Sequence, residues 1–396
     1  MFKKILSVFF ISVILMLPVH LPSQAAGDFL PAHIAMDRNS GQVIISRDGE
    51  NQSDASLLYK LMICLLAVEN PSDAFTAKVS GEECTFTDLV KLSLLADNHE
   101  ATAALSDYLV QKTGSLNVFL DKKIKDFNLE GTFFNENASE DISNSYTTLK
   151  DVGKFVIEAN KNAEFSTLFC SQVVLSSDRT LISNTNQLVI SAANSRIVGG
   201  STATYQSGEE TNTSMCYLGS IVSSVDESPL DVVIVVDSDP TYSYYKIGNN
   251  VIERLTKEFF SVCPVKKDDV LLTVSVGTEN LDIVAAEDVE CIVSEEINPS
   301  DLNISYVLSD EKDFDSIELP VTKGQLLGVA NISLPDGNII STPIAAGADV
   351  YAGNSGINSI IRTILSNNAI MIILIVLVAL ELMLLILNLY KKHNSK

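Results

Sequence analysis

Two apolar stretches near the ends of the chain set the terms for everything between them. Residues 369–390, AIMIILIVLVALELMLLILNLY, are long enough as a helix to cross a hydrocarbon core of roughly 30 Å. Lys391, Lys392 and Lys396 follow directly, and the positive-inside rule puts the tail, 391–396, in the cytoplasm and everything before Asn368 outside. Residues 1–26 begin with Lys3 and Lys4, run through an apolar stretch and end on small residues around Ser23, Ala25 and Ala26. That is the pattern of a secretory signal cut near Ala25 or Ala26; an uncleaved anchor is the alternative. The chain between is expected to fold outside the membrane. Glu381 inside the span marks either pairing with another membrane helix or a protonated carboxyl.

The exported part has the means to fold. Of the 396 residues, 46% are apolar and only 19% charged, so sizeable cores in two or three domains are expected rather than disorder. The net charge is −23, and the basic signal and tail lie outside the exported part, which argues against nucleic acid or another polyanion as a partner. Cys64, Cys84, Cys170, Cys216, Cys263 and Cys291 show no C-x-x-C pair and no neighbouring His. No metal or cofactor is expected from them. Disulfides are permitted outside the cell, but the spacing specifies no framework, and Cys64 reads as a core residue.

Up to about residue 261, helical periods alternate with short strand-like runs. AHIAMDRNSGQVIISRDGE reads as a hairpin around Asn39-Ser40-Gly41. Helices are expected over Ser56 to Glu69, Phe86 to about Gln111, about Leu116 to Phe127 and about Tyr242 to Phe260, with buried strands in MCYLGSIVSS and LDVVIVVDSD. Strands from both ends of this region around a helical block indicate an α+β sandwich. From 262 to about 350 the texture changes to short β segments, ending in a hairpin with Asp336-Gly337 at its turn. A linker, 351–368, with a helix near Ile357 to Leu365, leads to the membrane.

Within the first helix, Ser56 precedes Lys60 in DASLLYKLMICLLAVEN, a serine and a lysine separated by three residues. The penicillin-recognising acyltransferases have S-x-x-K, and at that spacing the serine position holds Leu57. The order of elements, together with AMDRNSGQVI, KLMICLLAVE, GTFFNENASEDISNSYTTLKDVGKF, ISNTNQLV and LPVTKGQLLGVANISLPDGNIISTPIAA, resembles the D-alanyl-D-alanine carboxypeptidases of peptidase family S11, the low-molecular-weight penicillin-binding proteins. The resemblance spans nearly the whole exported chain. It implies a beta-lactamase/transpeptidase-like α+β domain over 27–261, then a small all-β domain over 262–350. It also implies a cleft built from three motifs: S-x-x-K for nucleophile and base, S-x-N for a hydroxyl relay, and K-T-G on a strand that pairs with substrate.

All three motifs depart from that pattern. Alignment on the helix puts Lys60 on the motif lysine and Leu57 on the nucleophile; Ser56 serves only if the helix start carries an extra residue, and otherwise stands as a helix-terminal residue. In LLADNHEATAAL the second motif falls on Asp97 and His99, or on Ala96 and Asn98 one residue along, with no serine either way. On one continuous helix His99 and Asp97 do not face each other. The third motif, in IVGGSTATYQSG, places Val198 on the lysine, Gly199 on the threonine and Gly200 on the glycine, with Thr202 matching a downstream threonine. Losing that lysine removes a charge-assisted contact to the substrate carboxylate worth roughly 1.5 to 3 kcal/mol.

A scaffold kept while its chemistry is lost is the pattern of a pseudoenzyme. The expectation is a membrane-anchored S11-type envelope protein without carboxypeptidase activity, binding a peptidoglycan stem peptide or an envelope protein. The alternative is an active D,D-carboxypeptidase with Ser56 as shifted nucleophile, Lys60 as base and Asn98 in the second motif. On either reading Gly199, Gly200 and Thr202 would line the substrate side.

Overall fold

The protein is described by a computed structural model covering residues 31–139, 141–191, 196–238, 244–276, 279–297, 302–309, 317–334, 339–351 and 380–383. In chain order the first elements are β1 (His33–Asp37), β2 (Val43–Arg47), β3 (Ser53–Asp54), α1 (Ser56–Glu69), β4 (Thr76–Val79) and β5 (Glu82–Thr85). A helical stretch follows: α2 (Phe86–Ala96), α3 (His99–Thr113), α4 (Asn117–Asp126), then β6 (Tyr146–Thr147), α5 (Leu149–Ala159) and α6 (Ala163–Phe169). Next come β7 (Val173–Leu175), β8 (Leu181–Ser183), α7 (Gln187–Ile190), β9 (Ile197–Ser207), β10 (Glu210–Val222), β11 (Pro229–Ser238), α8 (Tyr244–Glu258) and β12 (Phe259–Val265). The rest is β: β13 (Val270–Val276), β14 (Glu279–Ala285), β15 (Val289–Ser294), β16 (Asn303–Leu308), β17 (Leu326–Ser333) and β18 (Ile339–Ala346). These elements form two units, residues 1–262 with 290–301, and 263–289 with 302–396.

The first unit is built on an antiparallel sheet in the order β2-β1-β11-β10-β9. Its inner strands are buried on both faces, which is why β11 reads as an unbroken apolar run. On one face Ile34, Met36, Val233 and Val235 join the core of the helical block. On the other, Ala35, Val232, Ile234 and Val236 meet Ile247, Val251, Ile252 and Leu255 of α8, spaced as one stripe of an amphipathic helix. Helix α1 runs through the middle of the block, with every residue from Leu57 to Val68 buried except Tyr59. That all-round burial explains an apolar run with no polar stripe.

The second unit holds a five-stranded antiparallel sheet, β13-β14-β18-β17-β16, over a core that includes Leu281, Ile283, Ala330 and Ile344. Strands β17 and β18 pair from Ser333↔Ile339 outward, the hairpin expected from sequence; its turn lies outside the described residues. Gly328 is required where β17 pairs with Leu308 of β16, since a Cβ there would sit 2.7 Å from Leu308 Cα.

One local expectation is corrected. The single helix expected from Phe86 to Gln111 is two, because Asp97 adopts a left-handed conformation (φ 52°) and Asn98 caps α3 by accepting from Ala101 N–H at 2.9 Å. Asp and Asn are the residues that tolerate that conformation and that cap most strongly. The first strand of the expected hairpin, β1, begins at His33. The expected signal, linker helix and cytoplasmic tail lie outside the described residues. So does the expected membrane span apart from residues 380–383. Among the described residues no helix is long and apolar enough to cross a membrane.

Candidate active-site cleft

Helix α1 starts without a capping side chain of its own, since Ala55 is its N-cap. The carboxylate of Asp54 does the work instead, accepting from Ser56 N–H at 2.7 Å. Asp54 is held by the pairing of β3 with β6. From that start Ser56, Tyr59 and Lys60 fall at i, i+3 and i+4 on one helix face. They line a pocket of about 180 Å³ with Asp97 from the α2–α3 junction, His99, Thr102 and Ala103 from α3, Ala138, Ser139 and Ile142, and Ala203 of β9. Leu57, one residue from Ser56, is 1% exposed and belongs to the core.

The pocket floor is an ion pair. Lys60 Nζ donates to Asp97 Oδ1 at 3.1 Å, with both side chains less than a tenth exposed. It also donates to the carbonyl of Thr202. Asp97 Oδ2 accepts from both the backbone N–H and the hydroxyl of Thr204, each at 2.9 Å. The array continues to His99, whose Nε2 lies 3.2 Å from Thr204 Oγ1. No hydrogen bond to Ser56 Oγ is present among the described residues. Burial pushes the Tyr59 phenol up to about 12, against a hydrogen bond with Ser106 that pulls it down. Behind Lys60, burial also raises the thiols of Cys64 and Cys216, to about 11 and about 12, keeping them unreactive.

Of the residues singled out from sequence, the structure brings Ser56 and Lys60 together in one pocket. Asn98 stands beside it with its side chain spent on capping α3. Gly199 and Gly200 are not on the pocket wall. A Cβ at Gly199 would lie 2.9 Å from Cys170 Cα and from Phe169 O, and one at Gly200 would lie 2.7 Å from Cys216 O. Both are glycines because neighbouring backbone leaves no room, a packing demand rather than an opening to ligand. Thr202 is 3% exposed, with its hydroxyl 2.6 Å from that of Thr185; only its carbonyl reaches Lys60. Asp97 and His99 do converge, on Thr204, contrary to the expectation for neighbours on a helix, because Asp97 is in the junction and not on a helix. Thr204, Ala203 and Ser139 were missed by sequence reasoning. Among the described residues no three His, Cys, Asp or Glu side chains converge as a metal site would need.

Comparison with known proteins places the fold. Residues 259–352 match the family described as penicillin-binding protein 5, C-terminal domain. No curated protein sequence matches the chain. Among solved structures, penicillin-binding protein 5 from Haemophilus influenzae superposes with a TM-score of 0.59 at 16% identity, covering 82% of this chain and 98% of that one. The fold is that of the S11-type, D-Ala-D-Ala carboxypeptidase-like penicillin-binding proteins. Penicillin-binding protein 3 from Streptococcus pneumoniae, described as a peptidoglycan synthesis regulatory factor, gives 0.55 at 14% identity over 81% of this chain and 99% of that one. The D-alanyl-D-alanine carboxypeptidase of Francisella tularensis gives 0.53 at 14% over 82% and 94%. The α+β domain of this penicillin-binding-protein fold carries the cleft described above, and its β domain lies in the segment that the family match covers.

Proposed function

We propose that this chain is a cell-envelope protein on the S11 scaffold that has given up acyl transfer and acts by binding a peptidoglycan stem peptide or another envelope component. In this reading residues 369–390 anchor it, with the folded units outside and residues 391–396 in the cytoplasm. The peptidoglycan link is supported by the similar proteins, one described as a D-alanyl-D-alanine carboxypeptidase and one as a peptidoglycan synthesis regulatory factor.

The observation that carries the loss of chemistry is the state of Lys60. A lysine that activates a serine must offer the hydroxyl a lone pair. Lys60 instead offers hydrogens to Asp97 Oδ1 and to the Thr202 carbonyl, and has no bond to Ser56. The third motif supports the same reading in either register. With Val198, Gly199 and Gly200 buried by packing or off the pocket, the strand facing the cleft is better read as Ser201-Thr202-Ala203 in the Lys-Thr-Gly places. Neither register supplies a cation, and a substrate carboxylate would meet Asp97.

One observation favours the second reading, an active D,D-carboxypeptidase: Ser56 and Lys60 do share the pocket. The two readings separate on one experiment, incubation of the full-length protein in detergent with a fluorescent penicillin beside Ser56→Ala, with D-alanine release from an acyl-D-Ala-D-Ala peptide measured in parallel. No covalent label and no release are expected. Label that disappears in Ser56→Ala would establish the shifted nucleophile and overturn the proposal.

A further inference from the structure

The five-stranded sheet of the second unit turns one face to its core and the other outward. Backbone register fixes which residues share the outward face. Val270 pairs with Val284, Val284 and Leu326 both pair with Ala345, and Val307 and Pro343 both pair with Val329. Pro343 and Ala345, two apart on β18, join these rows on one side of the sheet. Leu326 is 62% exposed, and Val270, Val307 and Val329 are exposed as well. The next rungs are Ser305–Asn331–Ser341 and Asn303–Ser333–Ile339. None of these positions carries a charge, in a chain where 19% of residues do. The outward face of a solvated antiparallel sheet is polar; an uncharged, apolar one marks a contact surface.

The sequence that follows β18 has the composition to cover it. Val350 and Val321 exchange backbone hydrogen bonds of 2.7 and 2.8 Å, which pins the chain's exit at Tyr351 beside the segment leading into β17 and Leu326. Residues 352–356, Ala-Gly-Asn-Ser-Gly, have turn composition, and the steps from Tyr351 to Ile357 reach up to about 20 Å. Ile357, Ile360, Ile361, Ile364 and Leu365 then fall at i, i+3, i+4, i+7 and i+8, one apolar stripe of a helix. Arg362, the only charged residue in 352–368, borders that stripe. Asp282 borders the sheet patch, exposed and two residues from Val284 on the same face. The patch, on the order of a few hundred Å², falls short of the roughly 800 Å² per partner that a stable dimer buries. A tethered segment needs less, because its effective concentration is high.

We propose that the outward face of this sheet is the docking site for the chain's own linker. Residues 357–365 lie on it as a helix over β18 and β17, with the isoleucine stripe against Pro343, Ala345, Leu326 and Val329 and with Arg362 toward Asp282. The cleft of the first unit plays no part in this. On the reading that residues 369–390 span the membrane, docking makes the anchor start from a fixed point on the β unit, in place of a free tether of up to about 60 Å.

Hydrogen exchange of the full-length protein, in detergent and in lipid nanodiscs, tests it. A helix this short does not hold unaided in water. The amides of 358–365 are expected to exchange at least tenfold more slowly than those of 352–356 in both media. Fast exchange of 358–365 in both overturns the proposal without any variant. In Leu326→Lys/Val329→Lys, which alters only exposed side chains, exchange of 358–365 should rise at least tenfold while β17 amides stay slow. Ile360→Ala/Ile364→Ala leaves the sheet untouched and keeps good helix formers; it should release the linker in the same way, and it decides the matter if the lysines disturb β17. Slow exchange in nanodiscs alone, unmoved by the lysines, overturns the proposal in favour of a helix lying on the membrane surface. Slow exchange in both media, unmoved by either variant, overturns it in favour of a helix continuous with the span. Failure of the protein to enter nanodiscs would sink the anchor reading instead, and the detergent arm would still decide docking.

Discussion

The buried ion pair permits a quantitative test of what the cleft has become. At 3.1 Å and an effective dielectric of about 20, Lys60 and Asp97 attract by about 5 kcal/mol. Withdrawing two charges from water costs several kcal/mol per ion, so the intact pair contributes little net stability. Removing one partner is a different matter. The survivor is less than a tenth exposed, so solvent does not screen it, and losses of this kind run to about 3 to 5 kcal/mol.

Lys60→Met and Asp97→Asn are each expected to cost that much. The double variant should recover most of the loss, leaving a coupling energy of at least about 3 kcal/mol. For a unit of this size each kcal/mol moves the melting temperature by roughly 2 to 4 °C, so the single variants should melt roughly 6 to 20 °C lower. The chain has no Trp and 11 Tyr, so near-ultraviolet dichroism of tyrosine follows tertiary melting in the detergent-solubilised protein. Single-variant losses below about 1 kcal/mol, or a double variant that loses the sum of the two, would refute the buried, coupled pair.

Two further outcomes bear on the surroundings. Gly199→Ala should lower stability by about 1 to 3 kcal/mol, because the new methyl meets Cys170 Cα and Phe169 O at 2.9 Å; unchanged melting would return Gly199 to the list of ligand-facing residues. Tyr217→Phe should raise stability by about 1 kcal/mol, since Tyr217 is fully buried and its hydroxyl has no partner among the described residues; a lower melting temperature would show that the hydroxyl is satisfied.

The elements legible in the sequence were those fixed by local pattern. The β1–β2 hairpin, α1, α4, α8 and the β17–β18 hairpin each carry their own periodicity or turn residues, and no distant contact is needed to place them. The α2–α3 break was missed because LSLLADNHEATAAL keeps helical composition through a junction that two residues create, Asp97 by turning left-handed and Asn98 by capping. That one misreading hid the site, since it sent Asp97 and His99 to different faces. Gly199 and Gly200 were expected on the pocket wall and are not there, for another reason. IVGGSTATYQ offers small residues at every step, and which of them faces the pocket is settled by where α1 crosses β9, a contact absent from any local pattern. Gly199 and Gly200 drew attention as glycines, yet their smallness serves Cys170 and Cys216 behind the strand.

The spacing of Ser56 and Lys60 bears on the ion pair and yields a last prediction. At i, i+3 a serine would sit 60° from the lysine about the helix axis and about 4.5 Å below it; at i, i+4 it sits about 40° away on the other side and about 6 Å below. The hydroxyl therefore moves round by about 100° and further from Nζ, while Asp97 and the Thr202 carbonyl lie within reach and take the ammonium. Restoring S-x-x-K by Leu57→Ser does not undo this, because Leu57 is 1% exposed and packs in the core of the helical block. A helix buried nearly all round cannot rotate to bring that position into the pocket. The variant should lose stability of the order of a buried Leu truncation, about 2 to 5 kcal/mol, and take up no fluorescent penicillin. Labelling of Leu57→Ser that is absent from the unmodified protein would show that α1 can turn, and that register alone, rather than the Lys60–Asp97 pair, silences the cleft.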